Sequence, residues 1–235
     1  MKLWIGTSGF QYPEWKGKFY PEKISAAKML PYYSERFTST ESNYSFRTIP
    51  SRATIEKWAA ATPRSFRFSF KALQEITHFK RLKGCAEKVC AFYEGISPMG
   101  AKLGAVLFQL APNFQRDQSL LSSFLAELPR GIRVAFEFRH RSWFEEEVFA
   151  CLRDHGAALC IAEDEKLSTP AMATTDFGYL RMRRLDYSKA DLVRWAEFVR
   201  KQKGWQEAFV YFKHEETAVG ASFAQAFQTL INTDA

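Results

Sequence analysis

The run Val134-Ala135-Phe136-Glu137-Phe138 is apolar at every position but Glu137, so it has no wet face. That is the pattern of a strand buried in a parallel sheet with helices over it. Amphipathic, helix-like stretches flank it, Gln118 to Leu128 before and Phe144 to His155 after. Strand alternating with helix indicates repeated βα units rather than a sandwich. Working outward, similar runs precede it at Leu3-Gly6, Ser39-Asn43, Phe66-Lys71 and Ala105-Leu110, and follow it at Ala158-Ala162, Gly178-Met182 and Ala208-Lys213. Further helical patterns cover Ala26 to Arg36, Ser51 to Ala61, Cys85 to Ile96, Lys189 to Lys203 and Gly220 to Ile231. Between the sixth and seventh runs, Glu163 to Phe177 reads as a loop, so the sixth unit is expected to be irregular. The fold class that follows is α/β, a single TIM-type (β/α)8 barrel forming one domain over residues 1–235. Ser51 and Ser142 stand where helix N-caps are wanted, and Gly131, Gly156 and Gly204 where left-handed closing residues are wanted.

Composition narrows the function classes. The 235 residues are 46% hydrophobic, enough for one sizeable core, and the formal charge of +7 favours anionic partners. The longest apolar runs fall far short of the roughly 20 residues that span a bilayer, so no membrane association is expected. The start, Met1-Lys2-Leu3-Trp4-Ile5-Gly6, lacks the apolar block of a secretory signal, and a cytoplasmic location is the expectation. Cys85, Cys90, Cys151 and Cys160 form no C-x-x-C pair and have no histidine at zinc-ligand spacing; they are expected to be reduced, with Cys160 a small buried residue. No metal or other cofactor is called for, and the oligomeric state is open.

Because side chains alternate across a strand, residues two apart share a face. Glu41 with Asn43, Ser69 with Lys71, Glu137 with Arg139, Arg181 with Arg183, and Tyr211 with Lys213 form such pairs, and Gln109 closes the fourth run. All lie toward the C-terminal ends of their strands, where barrel enzymes collect catalytic groups. Glu137 is the sharpest catalytic candidate, with Glu41 and His140 beside it. Burial among apolar neighbours would raise the Glu137 pKa and Arg139 would lower it, and the sequence leaves that balance open. The first loop, from Thr7-Ser8-Gly9-Phe10 to Trp15-Lys16-Gly17, combines glycines with aromatics. It suits either a ring-stacking, phosphate-binding loop or a plug of the barrel mouth, and Trp143 beside Arg139 and Arg141 has the same two readings.

Several of these segments together resemble the domain of unknown function 72, or YecE-like, family. The resemblance runs through Gly6-Thr7-Ser8-Gly9-Phe10 with Trp15 and Phe19-Tyr20-Pro21, Glu41-Ser42-Asn43-Tyr44-Ser45-Phe46, Phe68-Ser69-Phe70-Lys71 with Ile76-Thr77-His78, Leu107-Phe108-Gln109-Leu110-Ala111-Pro112, Glu137-Phe138-Arg139-His140 with Ser142-Trp143, and Tyr179-Leu180-Arg181. It implies a TIM-type barrel and no established activity. The chain departs from the family's common pattern at Arg183-Arg184, where a His-Gly pair is usual, and at Lys213-His214-Glu215, where Asn-Asn-Asp is usual.

The leading expectation is an enzyme acting on an anionic, phosphate-bearing substrate: a nucleotide, nucleic acid or sugar phosphate. Lys71, Arg139, Arg181, Arg183 and Lys213 would hold the anion, Glu137 would move a proton, and Gln109 and Asn43 would orient the substrate. Ser8, Trp15, Tyr44, Trp143 and Tyr211 complete the candidate binding surface. One alternative is a non-catalytic nucleic-acid-binding barrel. Another is a glycoside hydrolase using Glu41 and Glu137, with Trp15, Tyr44 and Trp143 stacking on sugar rings.

Overall fold

A computed structural model describes residues 1–164, 167–213 and 218–233. The chain alternates β1 (Lys2–Ser8), α1 (Ala26–Ser34), β2 (Ser39–Ser42), α2 (Arg52–Ala60), β3 (Arg67–Lys71), α3 (Ala86–Ile96), β4 (Leu103–Gln109), α4 (Gln118–Glu127), β5 (Arg133–Glu137), α5 (Glu146–Asp154), β6 (Ala158–Glu163), β7 (Phe177–Met182), α6 (Lys189–Lys201), β8 (Glu207–Phe212) and α7 (Val219–Thr233). The strands close into a barrel in sequence order, every pairing parallel, with β1 joined to β8.

Among the described residues no helix separates β6 from β7, in agreement with the irregular sixth unit. Thr174 ties this connection to the barrel. Its Oγ1 accepts from Leu159 N at 2.8 Å and donates to Ala157 O at 2.7 Å.

Every strand except β2 and β3 sends alternate residues to two apolar cores. Outward, Phe68, Phe70, Val106, Phe108, Val134, Phe136, Leu180 and Phe212 pack under the helices. Inward, the alanines 105, 135, 158 and 162, with Cys160, on β4 to β6 face Trp4, Phe177, Tyr179, Phe209 and Tyr211 on β1, β7 and β8. Small side chains on one side leave room for aromatics on the other, and this fills the barrel axis. Two close approaches depend on glycine. A Cβ on Gly6 would lie 1.8 Å from Ser39 O, and one on Gly104 would lie 2.9 Å from Ser69 Oγ. At the second of these the β3/β4 register shifts, and Ser69 Oγ accepts from Ala105 N at 3.2 Å.

Helix ends follow the capping chemistry in part. Ser51 Oγ accepts from Thr54 N at 3.2 Å, and Gly131 and Gly156 are left-handed. Ser142 does not cap α5. It lies in a 3₁₀ turn, Arg141–Trp143, and accepts from Arg116 N instead, while α5 starts at Glu146. Gly204 is not left-handed. The barrel also carries a second polar group at its N-terminal end, where Trp4 Nε1 donates to Glu207 Oε2 at 2.6 Å, Arg133 pairs with Glu207, and Arg67 lies over the Trp4 ring. All four cysteines are free, and Cys160 is buried inside the barrel, where burial pushes its thiol pKa well up. No helix among the described residues is long and apolar enough to cross a membrane.

Candidate anion site at the barrel mouth

Strand parity brings Ser8, Glu41, Lys71, Gln109, Glu137 and Arg181 to the C-terminal end of the barrel interior. Ladder pairing puts Ser8 beside Glu41 and Gln109 beside Glu137. Arg181 is the hub. Its Nη2 donates to Glu41 Oε1 at 2.9 Å and its Nη1 to Glu137 Oε2 at 2.5 Å, with all three side chains no more than 1% exposed. Glu41 also accepts from Ser8 Oγ at 2.8 Å and from Tyr179 OH at 2.6 Å. Glu137 Oε1 accepts from Gln109 Nε2 at 2.8 Å and Arg183 Nη1 at 3.1 Å.

These contacts change the roles expected of the carboxylates. Burial alone would raise the Glu137 pKa, but Arg181, Arg183 and Arg139 together bring it down to about 2. A carboxylate so strongly held is a fixed anion and a poor proton carrier at neutral pH. Glu41 is likewise enclosed, and the Arg181 guanidinium fills the space between the two carboxylates that a scissile sugar linkage would need. Glu137 and Glu41 are thus both engaged by Arg181, an arrangement that does not present them as a free general acid–base pair. Tyr211 belongs one level deeper, its hydroxyl bonded to Ser39 Oγ at 2.6 Å and Ser69 Oγ at 2.8 Å.

The remaining cations differ from Arg181. Arg183 reaches Asp164 Oδ2 at 3.5 Å as well as Glu137, with its Nε buried and unpaired. Arg139 keeps 30% of its side chain exposed and approaches Glu137 and Asp164 only at 3.9 and 3.7 Å. Lys213 is half-buried at the end of β8, where its N–H donates to Met182 O at 2.9 Å. Lys71, 9% exposed, sets its Nζ 3.7 Å from the centre of the Phe46 ring. Burial, reinforced by the charges of Arg181 and Lys213 and only partly opposed by Glu137 and Glu41, brings the Lys71 pKa down to about 7. Unlike the arginines, Lys71 is therefore not a permanent charge. His78, edge-on to Phe46 at 5.1 Å, has its pKa lowered by burial and by Lys71 and Arg139.

Several expected contacts lie elsewhere. His140 Nδ1 is engaged by Ser142, capping a turn and making no hydrogen bond with the carboxylates. Trp15 is 1% exposed and packs on Tyr12, Phe19 and Tyr20, and the first loop is pinned by Tyr12 OH to Ser8 O and by Tyr20 OH to Phe10 O. Trp143 is buried flat against Phe138, its Nε1 donating to Phe114 O at 2.7 Å. Both indoles are core, so neither is free to stack on a ligand. Tyr44 is 58% exposed, and Asn43, half-buried, donates to Ser8 O at 3.4 Å with its Oδ1 unpaired. Arg184 turns outward to Asp191 and Glu163, whereas His214 and Glu215 lie outside the described residues. Among the described residues no group of three or more His, Cys, Asp and Glu is arranged to hold a metal ion. The parity argument applied to Tyr179, two before Arg181, and to Asp164, two after Ala162, would have added both to this cluster.

An eight-stranded parallel barrel whose C-terminal mouth is built from arginine-clamped carboxylates and further cations is the class that the fold and site define. The family described as "Protein of unknown function DUF72" matches residues 4–235, and the chain belongs to it. It is similar to the UPF0759 protein YunF of Bacillus subtilis (strain 168), with 28% identity over 217 residues, 87% of this chain and 73% of that protein. Among solved structures, a DUF72 family protein from Thermotoga maritima MSB8 shares 28% identity over 98% of this chain and 99% of its own, with a TM-score of 0.89. Another, from Enterococcus faecalis V583, shares 19% identity over 98% and 95%, with a TM-score of 0.81, a likeness of fold alone.

Proposed function

We propose that this barrel is an enzyme that binds a phosphate-bearing anion at its C-terminal mouth, with Arg139 the leading contact and Arg183 and Lys213 beside it. The observation that carries the reading is the contrast between two arginines. Arg181 is buried and spent on two carboxylates, whereas the Arg139 side chain makes no hydrogen bond among the described residues and keeps 30% of its surface exposed. An arginine held near fixed anions but not bonded to them can offer its planar fork to a phosphate. Arg139 and Arg183 both approach the same two carboxylates, Glu137 and Asp164, so these cations form one tight cluster, which favours a small phosphate ester, or the end of a larger one, over a non-catalytic nucleic-acid groove. The glycosidase reading loses support because both of its carboxylates are sealed around Arg181.

A thermal-shift screen of the wild type and Arg139→Ala tests this against mononucleotides, sugar phosphates, short oligonucleotides and neutral oligosaccharides. A ligand at about 100 times its Kd stabilises by roughly 2.7 kcal/mol, an upward shift of about 5 to 10 °C for a chain of this size. The expected outcome is a shift with a phosphorylated compound that disappears in Arg139→Ala. A shift restricted to neutral sugars, or one that Arg139→Ala leaves intact, overturns the reading.

A further inference from the structure

We infer that Lys71 is a nucleophilic amine that forms a Schiff base with an aldehyde or ketone carried by the anionic substrate, a role that rests on the proposed phosphate site around Arg139. The two carboxylates whose charges reach Lys71, Glu137 and Glu41, are both committed to Arg181, and Lys71 makes no ion pair with a carboxylate among the described residues. Its stem is buried, and Nζ meets the Phe46 ring, which covers it without accepting its charge fully as a carboxylate would.

The groups facing Nζ are Arg181 on β7, Lys213 at the end of β8, Glu137 on β5, Glu41 on β2 and His78 after β3. Burial and the two cations favour the neutral amine, while the two carboxylates oppose it from inside their own arginine contacts. With a pKa of about 7, half the amine is unprotonated at neutral pH. An ordinary lysine near 10.4 is unprotonated to less than a thousandth there, so Lys71 has roughly a thousandfold more of the reactive form.

The step balances without any further reagent. The Nζ lone pair forms the C–N bond as the carbonyl π pair moves onto oxygen. The two Nζ protons pass to that oxygen, which leaves as water, and the C=N bond remains. Arg139, at the same mouth, would hold the phosphate of the same molecule. Site and nucleophile then select together for a phosphorylated carbonyl compound, a narrower class than phosphate esters in general.

The test uses pyridoxal 5′-phosphate, an aldehyde that carries a phosphate, and pyridoxal, which lacks it. The full chain is exposed briefly to each near pH 7, reduced with borohydride so that hydride fixes the C=N bond, and mapped by peptide mass. Lys71 is expected to be the dominant site with the phosphorylated aldehyde, labelled at least about tenfold faster than any other lysine. The rate should rise to half its maximum near pH 7, and both inorganic phosphate and loss of the probe's phosphate should slow it. Labelling spread over surface lysines with Lys71 untouched overturns the inference, even where the Arg139-dependent thermal shift survives and the anion site stands. Equal labelling of Lys71 by both aldehydes, insensitive to phosphate, upholds the reactive amine but removes the phosphate site. The map reads the wild-type protein, so the result does not depend on a Lys71→Met variant folding.

Discussion

Replacing Arg181 by Met removes the one cation that joins Glu41 to Glu137 while keeping most of the volume of the side chain. Both carboxylates are essentially unexposed, and stripping one partner from a buried ion pair costs about 3 to 5 kcal/mol because a charge is left desolvated. Here Glu41 loses its cation while Glu137 keeps Arg183 at 3.1 Å, so a loss within this range is expected, and a chain of this size should melt at least about 6 °C lower. The pH dependence provides the sharper signature. Glu137 has its pKa depressed from 4.5 to about 2, so it contributes stability above the unfolded value near 4.5, and that contribution is lost as pH falls toward 2. The depression corresponds to about 3 kcal/mol, to which Arg181 is the first contributor. Urea melts of the two proteins from pH 8 to pH 3 should therefore show a gap that is widest above pH 4.5 and narrows steadily as pH falls to 3. Adding Glu41→Gln to Arg181→Met should recover part of the loss by removing a stranded charge. A gap below about 1 kcal/mol at pH 7, or one that stays constant with pH, would refute the view that this guanidinium holds two buried anions.

Gly6→Ala should abolish folding or lower stability by more than about 3 kcal/mol, read as loss of the folding transition, because a Cβ there would sit 1.8 Å from Ser39 O and 2.6 Å from Tyr33 OH. Glu207→Ala leaves Trp4 Nε1 without its partner at the opposite end of the barrel. It should cost about 1 to 3 kcal/mol in denaturant melts while leaving any phosphate-dependent thermal shift intact. Ser51→Ala removes the α2 cap and should cost about 1 kcal/mol by the same melts, again without effect at the mouth.

Periodicity made the barrel legible, because strands buried on both faces and amphipathic helices leave different spacings in the chain, and the runs around Val134 and Ala105 repeat that contrast. Parity also identified which residues of each strand point inward, and Glu41, Lys71, Gln109, Glu137 and Arg181 do meet at one end. Height along the axis was not legible. Tyr211 obeys the same parity as Lys213 but bonds to Ser39 and Ser69 one layer below. Nor was saturation: that β2 and β7, with β1 and β8 between them, lie close enough in the closed barrel for Arg181 to bind Glu41 is a property of closure and not of any local spacing. The aromatics misled for a related reason. Trp15 and Trp143 stand beside turn residues and cations in the chain, yet each finds a ring to pack on, and their burial follows from contacts with Tyr20 and Phe138. The polar group at Trp4, Arg67, Arg133 and Glu207 escaped the reading because its members lie at strand starts, away from the end on which the argument concentrated.

Occupancy of the mouth by a phosphate-like anion at Arg139 can be seen directly. The most direct measurement is an anomalous difference map from crystals soaked in tungstate, a tetrahedral oxyanion with a strong anomalous signal, compared with the same soak of Arg139→Ala. A peak is expected at the mouth within hydrogen-bond reach of the Arg139 guanidinium, absent from the variant. A mouth without a peak, or a peak that persists unchanged when Arg139 is gone, would contradict it.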